Sequence, residues 1–319
     1  MAEHSSGLLS VLKYADKLMK YSDFQNAIIY YLSILKVVGD SPHVYVRIAH
    51  AYRFLGDIEN SKIHFSKAHV LDPKNFIDYY KADESINPFE TIRSISIELS
   101  NDCNYSTWHK KCPAHDVLDK KTLSSDMVHK ILDELSIISY TGELMWHLYN
   151  EPLMDPRLVT FIKYAKSVCP ASVIHLWTNG FYLTQAVADE VVNAGASRIT
   201  ISAYTDAEYE RLSKLEIPII HLIEKVGELD LRKEMYSNEE IKSCVPCITP
   251  SRDIVVRFNG DVVICCLDWK NSVVFGNIYN QSLKEILSST RYKEVSKSLR
   301  YGIKDEAICR RCNWKTWII

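Results

Sequence analysis

Six of the nine cysteines lie in the last quarter of the chain, between Cys244 and Cys312. Four of them have the spacing Cys247-x17-Cys265-x43-Cys309-x2-Cys312. Four thiolates suit either a [4Fe-4S] cluster or a structural zinc ion. Zinc ribbons usually separate their Cys-x-x-Cys pairs by about 15 to 20 residues, whereas the pairs that begin at Cys244 and Cys309 lie much farther apart. The spacing therefore favours an iron–sulfur cluster, with zinc as the alternative.

We expect no metal binding by Cys244 and Cys266 of this region or by Cys169 earlier in the chain. Cys266 directly follows Cys265, and adjacent residues rarely ligate one ion together, while Cys244 is left over once four ligands are assigned. Cys169 stands alone before Pro170 at an apolar helix end, which is typical of a buried small hydrophobic residue.

A second group of metal-ligand residues follows the first predicted strand. The segment reads Cys103-Asn-Tyr-Ser-Thr-Trp-His109-Lys-Lys-Cys112-Pro-Ala-His115, so two cysteines and two histidines lie close together in the chain. Thiolate and imidazole are both known ligands of iron–sulfur clusters. The segment is therefore a second candidate metal site.

Polar motifs also follow the next three predicted strands. Tyr149-Asn150-Glu151-Pro152 follows the second strand, Thr178-Asn179-Gly180 follows the third, and Ser202 ends the fourth. In parallel sheets, ligands bind at the carboxyl ends of the strands, where such residues meet. The pattern predicts one binding site at this edge.

Together these motifs resemble the radical S-adenosylmethionine (SAM) enzymes that carry a C-terminal SPASM/Twitch domain with an auxiliary iron–sulfur cluster. The first loop is similar to the family's Cys-x3-Cys-x2-Cys cluster loop, and the resemblance covers residues 92–314. The single-cluster spacing of the tail is like the Twitch version in aminocyclitol-oxidising members. The tail motifs that carry this resemblance are Cys247, Asn259-Gly260-Asp261, Cys265-Cys266-Leu267-Asp268-Trp269, Gly276-Asn277-Ile278 and Cys309-x2-Cys312.

The resemblance implies SAM and two [4Fe-4S] clusters as cofactors. It assigns Cys103, Cys112 and a third ligand to the cluster that binds SAM through an open iron, and four cysteines to the auxiliary cluster. Glu151 is expected to bind the SAM ammonium group, and Ser202 the ribose or carboxylate. The full set of expected SAM-binding residues is Tyr149, Asn150, Glu151, Thr178, Asn179, Gly180 and Ser202, and the auxiliary ligands are Cys247, Cys265, Cys309 and Cys312.

One departure from the family pattern concerns the SAM cluster, because the middle cysteine is missing. His109 stands at the expected spacing and makes the loop Cys103-x5-His109-x2-Cys112, with His115 as a second candidate ligand. A neutral imidazole raises the potential of a cluster, which would oppose reductive cleavage of SAM. The alternative is that both histidines are solvated loop residues and the protein is a pseudoenzyme that keeps only the auxiliary cluster.

Asp268, three residues after Cys265, is the candidate catalytic residue. Its carboxylate could act as a general base for a substrate held beneath the auxiliary cluster. The alternative is a carboxylate that caps the turn before Trp269. Both interpretations stay open on the sequence alone.

Alternating elements must position these motifs. From residue 91, β-branched runs alternate with amphipathic helices, which is typical of a parallel sheet covered by helices. The resemblance makes this an α/β partial (β/α)6 barrel. The predicted strands are 94–98, 144–148, 173–177, 198–202 and, less clearly, 218–222, and the predicted helices are 126–137, 157–167, 183–193 and 282–298. Asn259-Gly260 between alternating runs at 253–258 and 261–264 predicts a β-hairpin.

The N-terminal segment 8–75 is helical in pattern and contains an internal repeat, in which Ala15 matches Ala49 and Tyr31 matches Phe65. This resembles the tetratricopeptide (TPR) repeat, in which small residues let paired helices approach and the period is about 34 residues. The alternative is a plain helical cap. The predicted domains are 1–85 (TPR-like helices), 90–243 (radical SAM barrel) and 244–319 (auxiliary cluster domain).

Charge and composition limit the partners. Lys and Arg number 38 against 40 Asp and Glu, so no basic half suggests nucleic-acid binding. No apolar run approaches the roughly 20 residues of a membrane span, and the first residues lack the pattern of a signal peptide. We therefore expect a cytoplasmic protein without membrane or nucleic-acid partners.

The first functional hypothesis is a radical SAM enzyme that abstracts a hydrogen atom from a peptide, a protein or a carbohydrate-like alcohol, with the auxiliary cluster assisting net oxidation or cross-linking. The resemblance implies an electron donor such as flavodoxin or ferredoxin, and the helical repeat favours a peptide or a protein partner. The alternatives are a non-catalytic scaffold that binds a partner and a zinc-stabilised binding protein.

Overall fold

The computed structural model describes residues 2–83, 87–108, 112–116, 118–225, 240 and 246–312. These residues form two compact units. The helical unit contains residues 1–91, 239–251 and 293–319, and the sheet unit contains residues 92–238 and 252–292. His109 and Cys244 lie outside the described residues.

The helices and strands follow one another along the chain. The α-helices are α1 (Ala2–Lys20), α2 (Phe24–Val38), α3 (Pro42–Leu55), α4 (Ile58–Leu71), α5 (Ser125–Ile137), α6 (Leu158–Val168), α7 (Gln185–Ala194), α8 (Asp206–Leu212), α9 (Thr249–Arg252), α10 (Leu283–Ser288), α11 (Thr290–Arg300) and α12 (Ala307–Arg310). The strands are β1 (Ser94–Ile97), β2 (Glu143–Met145), β3 (Val173–Thr178), β4 (Arg198–Ala203), β5 (Ile220–Lys225), β6 (Asp253–Val256), β7 (Asp261–Val263) and β8 (Val274–Asn277). Short 3-10 helices occupy Tyr79–Asp83, Pro113–Asp116 and Pro152–Met154.

The helical unit begins with two helix pairs, α1–α2 and α3–α4. Helices α2 and α4 start at equivalent positions of the sequence repeat, and each is capped by an aspartate, Asp23 or Asp57, that accepts the backbone N–H of an asparagine three residues later. These caps satisfy N–H groups that a helix start otherwise leaves unbonded. The repeat positions matched in the sequence are buried in both copies, at Ala15, Ala49, Tyr31 and Phe65. The TPR resemblance itself stays a prediction.

Two later segments of the chain pack in the helical unit. Ile248 lies in one hydrophobic cluster with Ala49, Phe65 and Tyr79. The Cys247 backbone N–H donates to the Leu299 carbonyl at 2.8 Å. The hydrogen bond that positions the backbone of Cys247 is therefore formed within the helical unit. The three domains predicted from the sequence stay a prediction.

The sheet unit contains one sheet of eight strands in the order β5-β4-β3-β2-β1-β6-β7-β8. Strands β1 to β6 run parallel to one another, whereas β7 and β8 are added by antiparallel pairing. This confirms the predicted α/β class with a mostly parallel sheet. Within the described residues the sheet has two free ends, β5 and β8, so its strands do not close a ring.

The predicted hairpin is present, and Gly260 in its turn has φ +84°, which favours glycine. Its first strand, β6, also lies parallel to β1, with Ser94 opposite Asp253. The hairpin therefore continues the parallel sheet. β5 begins at Ile220, two residues after the predicted start, and the helix predicted over 282–298 is divided at Ser289, whose backbone is extended (ψ 148°).

Alternation along the strands separates two faces of the sheet. Leu144 and Trp146 point to the helices, where the Trp146 ring stacks on Phe161 of α6 with centroids 6.3 Å apart. Glu143 therefore lies on the opposite face of β2. None of the helices in the described part of the chain has the length and apolar character to cross a membrane.

Candidate functional site

The turn after β3 and the loop after β2 meet at Glu151, a residue that is 2% exposed. The Glu151 carboxylate accepts hydrogen bonds from the Thr178 hydroxyl at 2.6 Å, the Asn179 backbone N–H at 2.7 Å and the Leu153 backbone N–H at 3.1 Å. Two predicted SAM motifs are thus joined directly. A carboxylate has about four lone-pair sites, so one acceptor position remains for a ligand.

Burial raises the pKa of Glu151 to about 7, against the opposing effect of its three hydrogen-bond donors. A cationic group beside the carboxylate would favour its charged form. Glu151 therefore has the chemistry expected for binding an ammonium group.

Asn179 links this edge to the cysteine loop. Its side-chain Nδ2 donates to Asn104 Oδ1 at 2.8 Å and lies 3.9 Å from the Cys103 sulfur. The Glu151 backbone N–H also donates to the Asp102 carbonyl at 2.9 Å. The loops after β1, β2 and β3 therefore form one connected edge, as the sequence predicted.

Gly180 is required by close packing in the turn after β3. Its φ is +75°, and a Cβ atom there would lie 2.8 Å from the side chains of Ile201 and Leu212. Ser202, the predicted residue of β4, is partly exposed and alternates onto the same face as Thr200.

Two cysteines of the loop after β1, Cys103 and Cys112, belong to one hydrophobic cluster with Leu148, Tyr149 and Trp269. Two thiol donors at the carboxyl edge, beside the Glu151 network, fit the ligand set of a cluster loop. His115 is exposed, and its Nδ1 lies 2.8 Å from the Ser106 carbonyl. Its role as a cluster ligand stays a prediction.

The four cysteines expected to hold the auxiliary cluster do not all belong to one unit. Cys247, Cys309 and Cys312 belong to the helical unit and Cys265 to the sheet unit. Burial, followed by the nearby thiols of Cys247 and Cys312, raises the pKa of Cys309 well above its ordinary value. Metals bind the thiolate form, so a bound cation would stabilise that form and lower the pKa of Cys309. The residue types of this set, three cysteines, are those that bind an iron–sulfur cluster.

No three or more His, Cys, Asp and Glu side chains are arranged to hold a metal ion in the part of the chain that the structure describes. The eight described cysteines form no disulfide with one another. Cys169 is buried at 3% exposure, with its sulfur 3.7 Å from the Leu132 carbonyl, which fits the packing role expected for it. Cys266 is exposed.

Asp268 has the contacts of a capping residue. It is 1% exposed, and its two carboxylate oxygens accept the backbone N–H groups of Ser272 and Val273, each at 2.8 Å. Its catalytic role stays a prediction, and this geometry supports the alternative interpretation as a turn cap.

The face of the sheet that carries Glu143 has a polar network that the sequence motifs did not predict. His175 Nδ1 lies 2.6 Å from Glu143 and Nε2 lies 2.8 Å from the Thr200 hydroxyl, while Arg198 donates to Glu143 at 3.2 Å. Burial raises the pKa of Glu143, but His175 and Arg198 outweigh that effect and lower it overall. Polar residues on one face of the strands at 173–178 and 198–203 were the sequence signal that could have predicted this network.

A flat aromatic pair extends this face toward the carboxyl edge. The rings of His147 and Trp177 stack with centroids 5.2 Å apart and an interplanar angle of 14°. Trp177 directly precedes the Thr178-Asn179-Gly180 turn. The predicted SAM edge is therefore continuous with a surface that offers both an aromatic plane and charged hydrogen-bonding groups.

Comparisons with known proteins identify the class. Residues 247–313 match the SPASM family, an iron-sulfur cluster-binding domain. The S-adenosyl-L-methionine-dependent 2-deoxy-scyllo-inosamine dehydrogenase of Niallia circulans is 25% identical over 237 residues, which are 69% of this chain and 92% of that relative.

Solved structures show the same fold. BtrN in complex with AdoMet and 2-DOIA matches with a TM-score of 0.60 and 22% identity, covering 70% of this chain and 93% of that chain. An open conformation of selenomethionine-labelled BtrN matches with a TM-score of 0.55 and 22% identity, covering 70% and 92%.

The matches indicate an iron–sulfur enzyme that depends on SAM, which confirms the predicted enzyme class and the predicted use of SAM and iron–sulfur clusters. The number of clusters stays a prediction. Within that class, the chain is similar to the radical SAM proteins that carry a SPASM-type domain, as the sequence motifs indicated.

Proposed function

We propose that this protein is a radical SAM oxidoreductase that removes a hydrogen atom from a carbon of a small carbohydrate-like alcohol and so oxidises it. The observation that carries the proposal is the edge where Glu151 joins Thr178 and Asn179, and Asn179 reaches Cys103. The dehydrogenase relative supports the choice of a carbohydrate-like substrate.

The ligands proposed for the SAM cluster are Cys103, Cys112 and His109. The auxiliary cluster would be held by Cys247, Cys265, Cys309 and Cys312, within the region that matches the SPASM family. When bound, these cofactors supply the electron transfer and the hydrogen abstraction. A reductant such as flavodoxin or ferredoxin completes the proposal.

The chain's own side chains have distinct proposed roles. Glu151 would bind the SAM ammonium group through a charge-assisted hydrogen bond, while Asn179 orients the loop beside it. Near Glu143 and His175, the stacked rings of Trp177 and His147 offer a flat surface for the C–H groups of a sugar-like ring. Glu143 and Arg198, with side chains 26% and 42% exposed, can exchange hydrogen bonds with hydroxyl or amino groups.

The test is anaerobic reconstitution of the full chain, followed by iron, sulfide and zinc analysis. Two [4Fe-4S] clusters correspond to about eight irons per chain. Under strong reductant, we expect SAM cleavage, and deuterium on an aminocyclitol such as 2-deoxy-scyllo-inosamine should appear in 5'-deoxyadenosine.

Two variants test the proposed substrate surface. Trp177→Ala should raise the KM for the aminocyclitol, whereas Trp177→Phe should restore most of the binding. About four irons with no SAM cleavage would instead establish the non-catalytic scaffold, and bound zinc would establish the zinc-stabilised protein. SAM cleavage without deuterium transfer from any cyclitol would leave a peptide as the substrate to test.

A further inference from the structure

A buried ion pair lies beneath the carboxyl edge of the sheet and is used by none of the roles proposed above. Glu98, directly after β1, is 0% exposed and Arg257, directly after β6, is 5% exposed. Arg257 Nε donates to Glu98 at 2.6 Å, although the two residues are far apart in the chain. Burying two charges costs desolvation free energy. A buried ion pair offsets that cost only where further hydrogen bonds satisfy its remaining N–H groups and lone pairs.

Those further bonds reach two functional segments. Glu98 accepts the Tyr149 backbone N–H at 3.2 Å, at the start of the Tyr149-Asn150-Glu151 motif. Arg257 Nη1 donates to the Asp268 carbonyl at 3.1 Å and to Asn271 Oδ1 at 2.7 Å, in the loop that follows Cys265. One ion pair thus holds both segments.

Tyr149 completes the connection. Its ring lies against the Arg257 guanidinium, 5.2 Å from the ring centroid, which is within cation–π range. Its hydroxyl donates to the Cys266 carbonyl. The backbone of Tyr149 is therefore held by Glu98, while its side chain holds the residue that follows Cys265.

We propose that Glu98, Arg257 and Tyr149 form a clamp that couples the SAM-binding loop to the segment Cys265–Val273, so that SAM binding at one stabilises the position of the other. These are positioning residues, and the inference rests on the proposed function in that it takes the Tyr149-Asn150-Glu151 loop as a SAM contact. Its chemical purpose would be to keep the Cys265 thiolate in a fixed place while SAM is bound.

The test is hydrogen–deuterium exchange of the reconstituted full chain, with and without SAM, read in peptides that cover Cys265–Val273. The backbone N–H groups of Asp268, Ser272 and Val273 are hydrogen-bonded there and report opening of the segment. We expect SAM to slow this exchange in the wild type.

Tyr149→Phe removes the hydroxyl but keeps the ring over Arg257. It should speed exchange of the segment roughly fivefold without SAM, since one net hydrogen bond is lost, and should largely abolish the slowing by SAM. Tyr164→Phe is the matched control, because it also removes one tyrosine hydroxyl bond, to Asp133 on the neighbouring helix. The control should leave the segment unchanged.

The outcomes separate the clamp from the proposed function. If calorimetry shows that SAM binds and the exchange of Cys265–Val273 is identical in wild type and Tyr149→Phe, the clamp is refuted while the SAM site stands. If SAM does not bind the wild type at all, the proposed function fails, and faster exchange in SAM-free Tyr149→Phe still tests the hydroxyl contact by itself.

Discussion

Glu151 shows how burial adapts one carboxylate for a charged ligand. It is held by donors from two loops, yet its pKa is raised to about 7 because so little solvent reaches it. An ammonium group placed beside it would recover the charged form. Its role is therefore testable by removing the charge and keeping the shape.

We predict that Glu151→Gln weakens SAM binding by ~1.5–3 kcal/mol, the range for hydrogen bonds to charged groups, and leaves the iron content unchanged. Calorimetry with SAM measures the first effect and iron analysis the second. The difference between wild type and variant should shrink below pH about 7, since the wild-type carboxyl is then protonated and as neutral as glutamine. Equal SAM affinity in both proteins at a pH well above that value would remove Glu151 from the site.

His109 decides between enzyme and pseudoenzyme. If it ligates the SAM cluster, His109→Cys should keep the cluster and lower its potential, because a thiolate adds negative charge, and 5'-deoxyadenosine formation should persist or rise. His109→Ala should lose that cluster, leaving about four irons per chain. Iron analysis and electron paramagnetic resonance measure these outcomes.

His115→Ala is the matched control for His109. Its exposed ring, with Nδ1 near the Ser106 carbonyl, should be dispensable for iron binding if His109 is the ligand. The assignment would be reversed if His115→Ala lost iron and His109→Ala kept both iron and SAM cleavage.

At the scale of elements, the loops after parallel strands carry the chemistry. The turns after β1, β2 and β3 bond to one another at their carboxyl ends, as parallel strands require. The loop of Cys309 and Cys312 belongs to the helical unit together with Cys247, and its proposed role is to hold the auxiliary cluster.

We predict that Cys309→Ala and Cys312→Ala each lose about half of the iron and much of the soluble protein, because metal binding to closed thiolate sites is coupled to folding. Cys169→Ala is the control, since Cys169 is buried against the Leu132 carbonyl and should change no iron. Full iron and normal stability in both ligand variants would contradict the assignment.

At the scale of the whole molecule, the N-terminal helices share a hydrophobic cluster with Ile248, a residue from the C-terminal part of the chain. Phe65 of α4 is fully buried in a cluster with Ile248, which adjoins Cys247. The helical repeat is therefore part of the environment of a proposed cluster ligand.

We predict that Phe65→Ala lowers the free energy of unfolding by ~3–5 kcal/mol, as for other buried aromatic residues, and reduces iron to about half by disturbing Cys247. Denaturant unfolding and iron analysis measure both effects. Ile63→Ala on the same helix is the control, because Ile63 is 49% exposed and should change neither. Loss of stability with full iron retained would show that the helices do not support the cluster.

The sequence alone determined what depends on local pattern. Alternating strands and helices predicted a parallel sheet, strand-end motifs predicted the edge joined at Glu151, and Asn259-Gly260 predicted the hairpin turn. Each of these follows from period, turn chemistry or short spacing, which neighbouring residues carry by themselves. The N-terminal sequence repeat likewise appears in the two aspartate caps, Asp23 and Asp57, at equivalent positions.

Only the tertiary structure decided the partners that are distant in the chain. It made β6 the sixth parallel strand beside β1, paired Glu98 with Arg257, and put Cys265 in a different compact unit from Cys247, Cys309 and Cys312. It also brought Glu143, His175 and Thr200 from three strands into one network. Such pairs have no local signal, because packing and the burial of charge across the sheet select them rather than the periodicity of any one segment.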